Sequence, residues 1–233
     1  MRTFVLGDIH GSYKALLDVF KRSQFDYEKD LLIQLGDVVD RFPESAQCVE
    51  ELLKIKNLIA IRGNHDEGCN EWLNKGLGPQ WWRSQGGEST IRSYVDTGLL
   101  TEESHRKFFR DQINYYVDDK NRAFVHGGYT DPRGLGYEQY PADYYWDRSL
   151  WENVALPGKN SQNIPKMLRH YDEIYIGHTT TMFWNTTDPM KACNVWNLDT
   201  GGGLRGHLTI MDIDTKEFWQ SDMVEDYYKE VDR

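Results

Sequence analysis

Short apolar runs alternate along the chain with stretches whose apolar residues recur at helical spacing. Residues 3–7, TFVLG, predict a strand; Tyr13, Leu16, Leu17 and Phe20 then mark one face of a helix with Ser12 at its N-cap. LLIQLG (31–36) predicts a second strand, and ESAQCVEELLKIK (44–56) a second helix entered through Pro43. LIAIRG (58–63) predicts a third strand. This β-α-β-α-β order implies neighbouring parallel strands joined by right-handed crossovers. From about residue 66 to 114 the pattern is mainly helical, and Trp72, Trp81 and Trp82 predict the core of a helical cap. NYYVDDKNRAFVHGG (114–128) predicts a hairpin turning at Asp118–Asn121. Residues 129–162, rich in Gly, Pro, Tyr and Asp, form the longest irregular stretch, and loops that long in a compact domain are usually functional or mobile. Residues 173–179, 194–201 and 207–214 return to strand patterns, and the charged tail 225–233 reads as a peripheral helix or a frayed end.

Composition narrows this picture. A chain of 233 residues supports one sizeable core, so a single α/β catalytic domain over 1–233 is expected. The formal charge of −10 argues against duplex nucleic acid as a partner. Cys48, Cys69 and Cys193 are odd in number and widely spaced, which suits reduced thiols in a cytoplasmic protein. No apolar run suggests a signal peptide or membrane span, and a monomer is expected.

The candidate chemistry lies where the strands end. FVLG runs into Asp8 and His10, and LIQLG into Asp37, Asp40 and Arg41. IAIRG delivers Asn64 and His65, AFV delivers His126, and IYIG delivers His178. In open α/β sheets, ligands bind outside the carboxyl ends of strands. Carboxylate and amide oxygens with imidazoles, and no thiolate, suit Mn²⁺, Fe or Zn²⁺. The set is too large for one ion with open positions and fits two divalent ions, with a carboxylate such as Asp37 able to bridge them.

Together GDIHG (7–11), GDVVDR (36–41), RGNHD (62–66), HGG (126–128) and GHT (177–179) resemble the calcineurin-like metallophosphoesterases. The resemblance is to the phosphoprotein phosphatase branch with its bacterial and phage serine/threonine phosphatases. Thr180 stands where other branches place a second His, and Asp40 is the acid that the related diadenosine tetraphosphate hydrolases tend to lack. The resemblance implies a fold of two packed mixed β-sheets flanked by helices, an α/β/β/α sandwich. It implies a first metal on Asp8, His10 and Asp37, and a second on Asp37, Asn64, His126 and His178, most readily Mn²⁺. The implied reaction is hydrolysis of phosphoserine or phosphothreonine, in a phosphorylated protein, peptide or smaller phosphoester, by direct attack of a metal-bridging hydroxide. His65 would be the acid for the leaving alkoxide, Asp40 its orienting partner, and Arg41 and Arg148 the phosphate clamps. A dinucleoside polyphosphate is the alternative substrate. Two departures stand out: Asp66 replaces a usual Glu, which implies an altered contact behind the metal ligands, and Phe42 replaces a usual Gly. The other polar candidates read as structural: Arg62 before its turn, His105 exposed on a charged helix, His170 at a helix end and His207 in packing.

Overall fold

The computed structural model describes residues 1–156 and 165–229. The opening segment follows the predicted order: β1 (Thr3–Leu6), α1 (Tyr13–Arg22), β2 (Leu31–Gln34), α2 (Ser45–Leu52) and β3 (Asn57–Ala60). The three strands pair in parallel. Helices α3 (Asn64–Lys75), α4 (Gln80–Trp82), α5 (Glu88–Thr97) and α6 (Glu103–Asp111) occupy the next fifty residues or so. The hairpin follows as antiparallel β4 (Tyr115–Val117) and β5 (Arg122–Val125). The stretch after it is less irregular than its composition suggested, because α7 (Asp143–Trp146) and α8 (Ser149–Val154) form there. Its residues 157–162, like tail residues 230–233, lie outside the described residues. Strands β6 (Glu173–Ile176), β7 (Met190–Ala192), β8 (Val195–Asn197), β9 (Thr209–Asp212) and β10 (Phe218–Gln220) complete the fold.

Two five-stranded mixed sheets result, ordered β10-β9-β1-β2-β3 and β4-β5-β6-β8-β7. The period-two alternation of strand side chains builds the layers. Phe4 and Leu6 of β1 face α1, α2 and the long helical segment, in a core that also holds Leu16, Val49, Trp82, Tyr94 and Phe109. Val5 and Ile33 point the other way and meet Phe124, Tyr175 and Leu198 of the second sheet. The rings of Phe124 and Tyr175 stack at 5.1 Å within this layer. Ala123, Val125, Ile174 and Ile176 alternate outward onto Leu150 and Trp151 of α8. The architecture is the expected α/β/β/α sandwich. Among the described residues, no helix is long and apolar enough to cross a membrane.

Some local expectations need correction. Ser12 precedes α1 but makes no capping bond to it, because its hydroxyl donates back to the Ile9 carbonyl. His105 is fully buried, not exposed. It shares the inward face of α6 with Phe108 and Phe109, the i, i+3, i+4 spacing of a helix stripe. Both ring nitrogens are partnered there, Nδ1 with Tyr94 Oη at 3.0 Å and Nε2 with Glu50 at 2.6 Å. Arg62 serves the fold as expected: its guanidinium donates to the Phe109 and Gln112 carbonyls at 2.9 and 3.2 Å, satisfying the end of α6. Of the three tryptophans, Trp82 is fully buried, while Trp72 and Trp81 are partly buried against the same core.

Candidate dinuclear metal centre

Backbone hydrogen bonds draw the strand ends of both sheets together. Ile9 and His10 both donate their N–H to the Asp37 carbonyl, at 3.0 and 2.9 Å, which locks the β1 and β2 turns to each other. Within the second sheet, Gly177 N donates to the His126 carbonyl at 2.9 Å, and across the sandwich His178 N donates to the Asp8 carboxylate at 3.1 Å. Among the ten described non-glycine residues with positive φ are His10, Asp37, Asp40, Arg41 and His178. Each left-handed residue costs about 1–2 kcal/mol, so this backbone holds only because its surroundings over-determine it. Close approach sets the limits here: a Cβ on Gly36, whose φ is +99°, would lie 2.7 Å from both Gly63 N and the His126 ring.

The side chains form two tight groupings that share Asp37. His10, Asp37 and His65 have potential ligand atoms within 4.8 Å of one another, as do Asp37, His126 and His178. His10 Nε2 is 3.5 Å and His126 Nε2 3.4 Å from the same Asp37 Oδ2, and Asn64 Oδ1 is 3.2 Å from His126 Nε2. His10 Nδ1 contacts the Val39 carbonyl at 3.0 Å, and His126 Nδ1 contacts that of Leu35 at 2.8 Å. A carbonyl only accepts, so each Nδ1 carries the proton and Nε2 is turned toward Asp37. Neither grouping includes Asp8, whose carboxylate is engaged with His178 N.

This donor set fits divalent cations. His178 Nε2 is buried without a protein partner, a state that costs about 1–3 kcal/mol unless something else binds it. Burial and the nearby charges of His126 and Arg148 hold its ring well below the ordinary imidazole value, and burial with Arg41 does the same for His10. Both rings are therefore neutral, the form in which an imidazole binds a cation. Burial, then the adjacent charge of Asp199, push Asp8 well above the usual carboxylate range. Burial would also raise Asp37, but His126 and His65 outweigh it and hold that carboxyl well below. Although burial disfavours its charge, His126 is pushed up to about 9, chiefly by Asp37. The oxygens and imidazoles of the cluster match the ions named above.

Within the first grouping, His65 Nδ1 also meets Asp40 Oδ2 at 2.6 Å, and His65 N donates to Asp37 Oδ1 at 3.0 Å. Thr90 of α5 donates to the other Asp40 oxygen at 2.6 Å, and its Oγ1 accepts from Asp40 N at 2.9 Å. Burial opposes the protonated form of His65, but Asp37 and then Asp40 outweigh it and keep its pKa above the ordinary value. Burial likewise raises Asp40. A cavity of about 240 Å³ opens over these groups, lined by His10, Asn64, His65 and His178, by Arg41 and Arg148, and by Phe183 and Leu204. Arg41 Nη1 donates to the Gly203 carbonyl at 3.3 Å, and Arg148 Nη1 donates to that of His178 at 3.0 Å. All ten sequence candidates thus gather at one place.

Three further residues belong to this region. Asp199 lies at the end of β8, buried, accepting from Gly201 N at 3.1 Å and lining the cavity. Its run VWNLD ends a strand on a ligand type as the others do, so a signal for it exists in the sequence. Thr90 carries no such signal. Asp66 sits behind the ligands, accepting from Val38 N at 2.8 Å, Gly63 N at 3.2 Å and Gln112 Nε2 at 2.9 Å. It thereby joins the turn of Asp37 to that of Asn64.

The chain is similar to known proteins. Serine/threonine-protein phosphatase 2 of Escherichia coli (strain K12) is 39% identical over 217 residues, 90% of this chain and 92% of that protein. The symmetrical bis(5'-nucleosyl)-tetraphosphatase of Pseudomonas fluorescens (strain SBW25) is 30% identical over an alignment of 280 residues, covering 93% of each. A solved metallophosphoesterase from Sphaerobacter thermophilus superposes with a TM-score of 0.57 at 19% identity, over 96% of this chain and 89% of that one, a likeness of fold. The sequence pattern of the calcineurin-like phosphoesterases matches residues 1–207, and with two sheets meeting at one cluster of carboxylates and imidazoles, the chain belongs to that family.

Proposed function

We propose that this chain is a single-domain phosphomonoesterase acting on phosphoserine and phosphothreonine. The observation that carries the reading is the His65–Asp40 pair, whose His65 belongs to one of the two groupings that share Asp37. Asp8, His10 and Asp37 would hold one cation and Asp37, Asn64, His126 and His178 the other, with Mn²⁺ suited to the oxygen-rich set. Such ions would supply Lewis-acid charge to the phosphoryl oxygens and lower the pKa of an attacking water. The protein's own contribution is orientation and a proton. Arg41 and Arg148 present planar guanidinium groups to the phosphate. His65 Nδ1 is held by Asp40, which leaves Nε2 to face the cavity and protonate the leaving alkoxide. At about 240 Å³ the cavity is smaller than the roughly 300–1,000 Å³ of typical small-molecule sites, so a phosphoryl group enters and the rest of a large substrate stays outside.

A second reading, a dinucleoside polyphosphate hydrolase, draws on the named relative from Pseudomonas fluorescens and on Phe183, which is 70% exposed at the mouth and could stack on a base. The test is kcat/KM of metal-stripped, Mn²⁺-reconstituted protein on a phosphoserine peptide and on diadenosine tetraphosphate. Preference for the peptide is expected; preference for the dinucleotide replaces the first reading with the second.

A further inference from the structure

One stretch near the C-terminus touches both loops that flank Arg41. The Tyr228 ring stacks on Phe42, the residue after Arg41, with centroids 5.0 Å apart and planes at 29°. The Tyr228 hydroxyl donates to Glu44 at 2.5 Å, and Lys14 Nζ lies 5.0 Å from the ring centroid. Lys14 Nζ also donates to the Tyr227 carbonyl at 3.1 Å, and the Tyr227 hydroxyl donates to Asp18 at 2.5 Å. Upstream, Val224 N donates to the Gly206 carbonyl at 2.9 Å. Gly206 closes the glycine-rich loop whose Gly203 carbonyl receives Arg41. The stretch therefore braces the loop that carries the guanidinium and the loop that receives it.

Arg41 needs such a brace. It is exposed and left-handed, with φ +68°, and follows another left-handed residue, Asp40 at +79°. On its N-terminal side Asp40 is pinned by Thr90 and Ser45. On its C-terminal side the Phe42 backbone is tied to the His10 carbonyl at 3.0 Å, and the Phe42 ring rests on Tyr228. We propose that Tyr228 is a positioning residue for the phosphate clamp, holding Arg41 in its binding orientation through the Phe42 ring. The proposal rests on the reading of Arg41 as a clamp. A misplacement near 1 Å in a binding group can cost about 100-fold, so partial loosening should cost less.

The test uses the full Mn²⁺-loaded chain and two readouts: calorimetric affinity for inorganic phosphate, and kcat and KM on p-nitrophenyl phosphate. Arg41→Ala should weaken phosphate binding by about 10–100-fold. Tyr228→Ala should weaken it by about 3–10-fold and raise KM with kcat nearly unchanged, the mark of lost uniform binding. Phe42→Ala, which removes the other ring, should do the same, while Tyr228→Phe keeps the stack and should stay near wild type. In an Arg41→Ala background, Tyr228→Ala should add nothing. If Arg41→Ala leaves phosphate affinity unchanged, the clamp reading fails and takes the proposal with it. If Arg41→Ala acts but Tyr228→Ala and Phe42→Ala do not, or if their effects persist without Arg41, the brace is overturned and the clamp stands.

Discussion

His65 and Asn64 are neighbours with different surroundings, and those surroundings divide their chemistry. Asn64 Oδ1 faces the His126 ring beside Asp37, whereas His65 Nδ1 is taken by Asp40. His65→Asn should therefore lower kcat on a phosphoserine peptide by about 10²–10⁴-fold, with thermal stability and Mn²⁺ uptake retained. The loss should be much smaller on p-nitrophenyl phosphate, whose leaving group needs no proton. Equal losses on the two substrates would remove His65 as the acid. Nine of the ten polar residues that gather here were legible because they follow apolar strands, a local signal that needs no knowledge of packing; Arg148, which follows α7, was legible only through the family resemblance. Thr90 was not legible, since it reaches Asp40 across fifty residues of sequence and nothing nearby marks its hydroxyl. His105 was misread for a related reason: Glu103, Arg106, Lys107 and Arg110 surround it in sequence and hide the stripe it shares with Phe108 and Phe109.

At the level of elements, strands place the candidate ligands and helices fix the groups behind them. Helix α5 offers Thr90 to Asp40 and Ser93 to Ala46 N of α2 at 3.0 Å, so the loop that carries Asp40 is held from the helical side. Thr90→Val keeps shape but removes the donor, leaving a buried carboxyl short of a partner. Denaturant unfolding should show a loss of about 1–3 kcal/mol, and kcat should fall as His65 loses its fixed partner. Unchanged kcat at reduced stability would mean that Thr90 serves only the fold. The glycine-rich loop after β8 makes a different demand, because a Cβ on Gly203 would overlap the His10 ring. Gly203→Ala should weaken Mn²⁺ binding measured by calorimetry while sparing secondary structure measured by circular dichroism. The order of elements was readable from periodicity, since short parallel strands and intervening helices have different periods. The helices within 143–154 were not, because a four-residue and a six-residue helix are too short to show a repeat.

For the molecule as a whole, the candidate centre lies across the seam between two sheets. Asp8, His10, Asp37 and Asn64 follow strands of one sheet, and His126, His178 and Asp199 follow strands of the other. The seam is held by an apolar layer in which Phe124 stacks on Tyr175 beside Val5, Ile33 and Leu198. Cations bound by both sheets would join them, so stability should rise with Mn²⁺ by the linkage between binding and folding. Phe124→Ala opens a cavity in the seam and should cost about 3–5 kcal/mol. Phe20→Ala removes the same ring from the outer core between α1 and the first sheet, where no ligand-bearing loop of the second sheet is involved. The two variants should lose comparable stability without metal. The gain in melting temperature on adding Mn²⁺ should shrink in Phe124→Ala, whose half-sites shift relative to each other, and stay at the wild-type value in Phe20→Ala. Equal gains in both would mean that the sheets keep their alignment without the seam, and that bonds between the strand ends of the two sheets, such as His178 N to the Asp8 carboxylate, suffice to set the site.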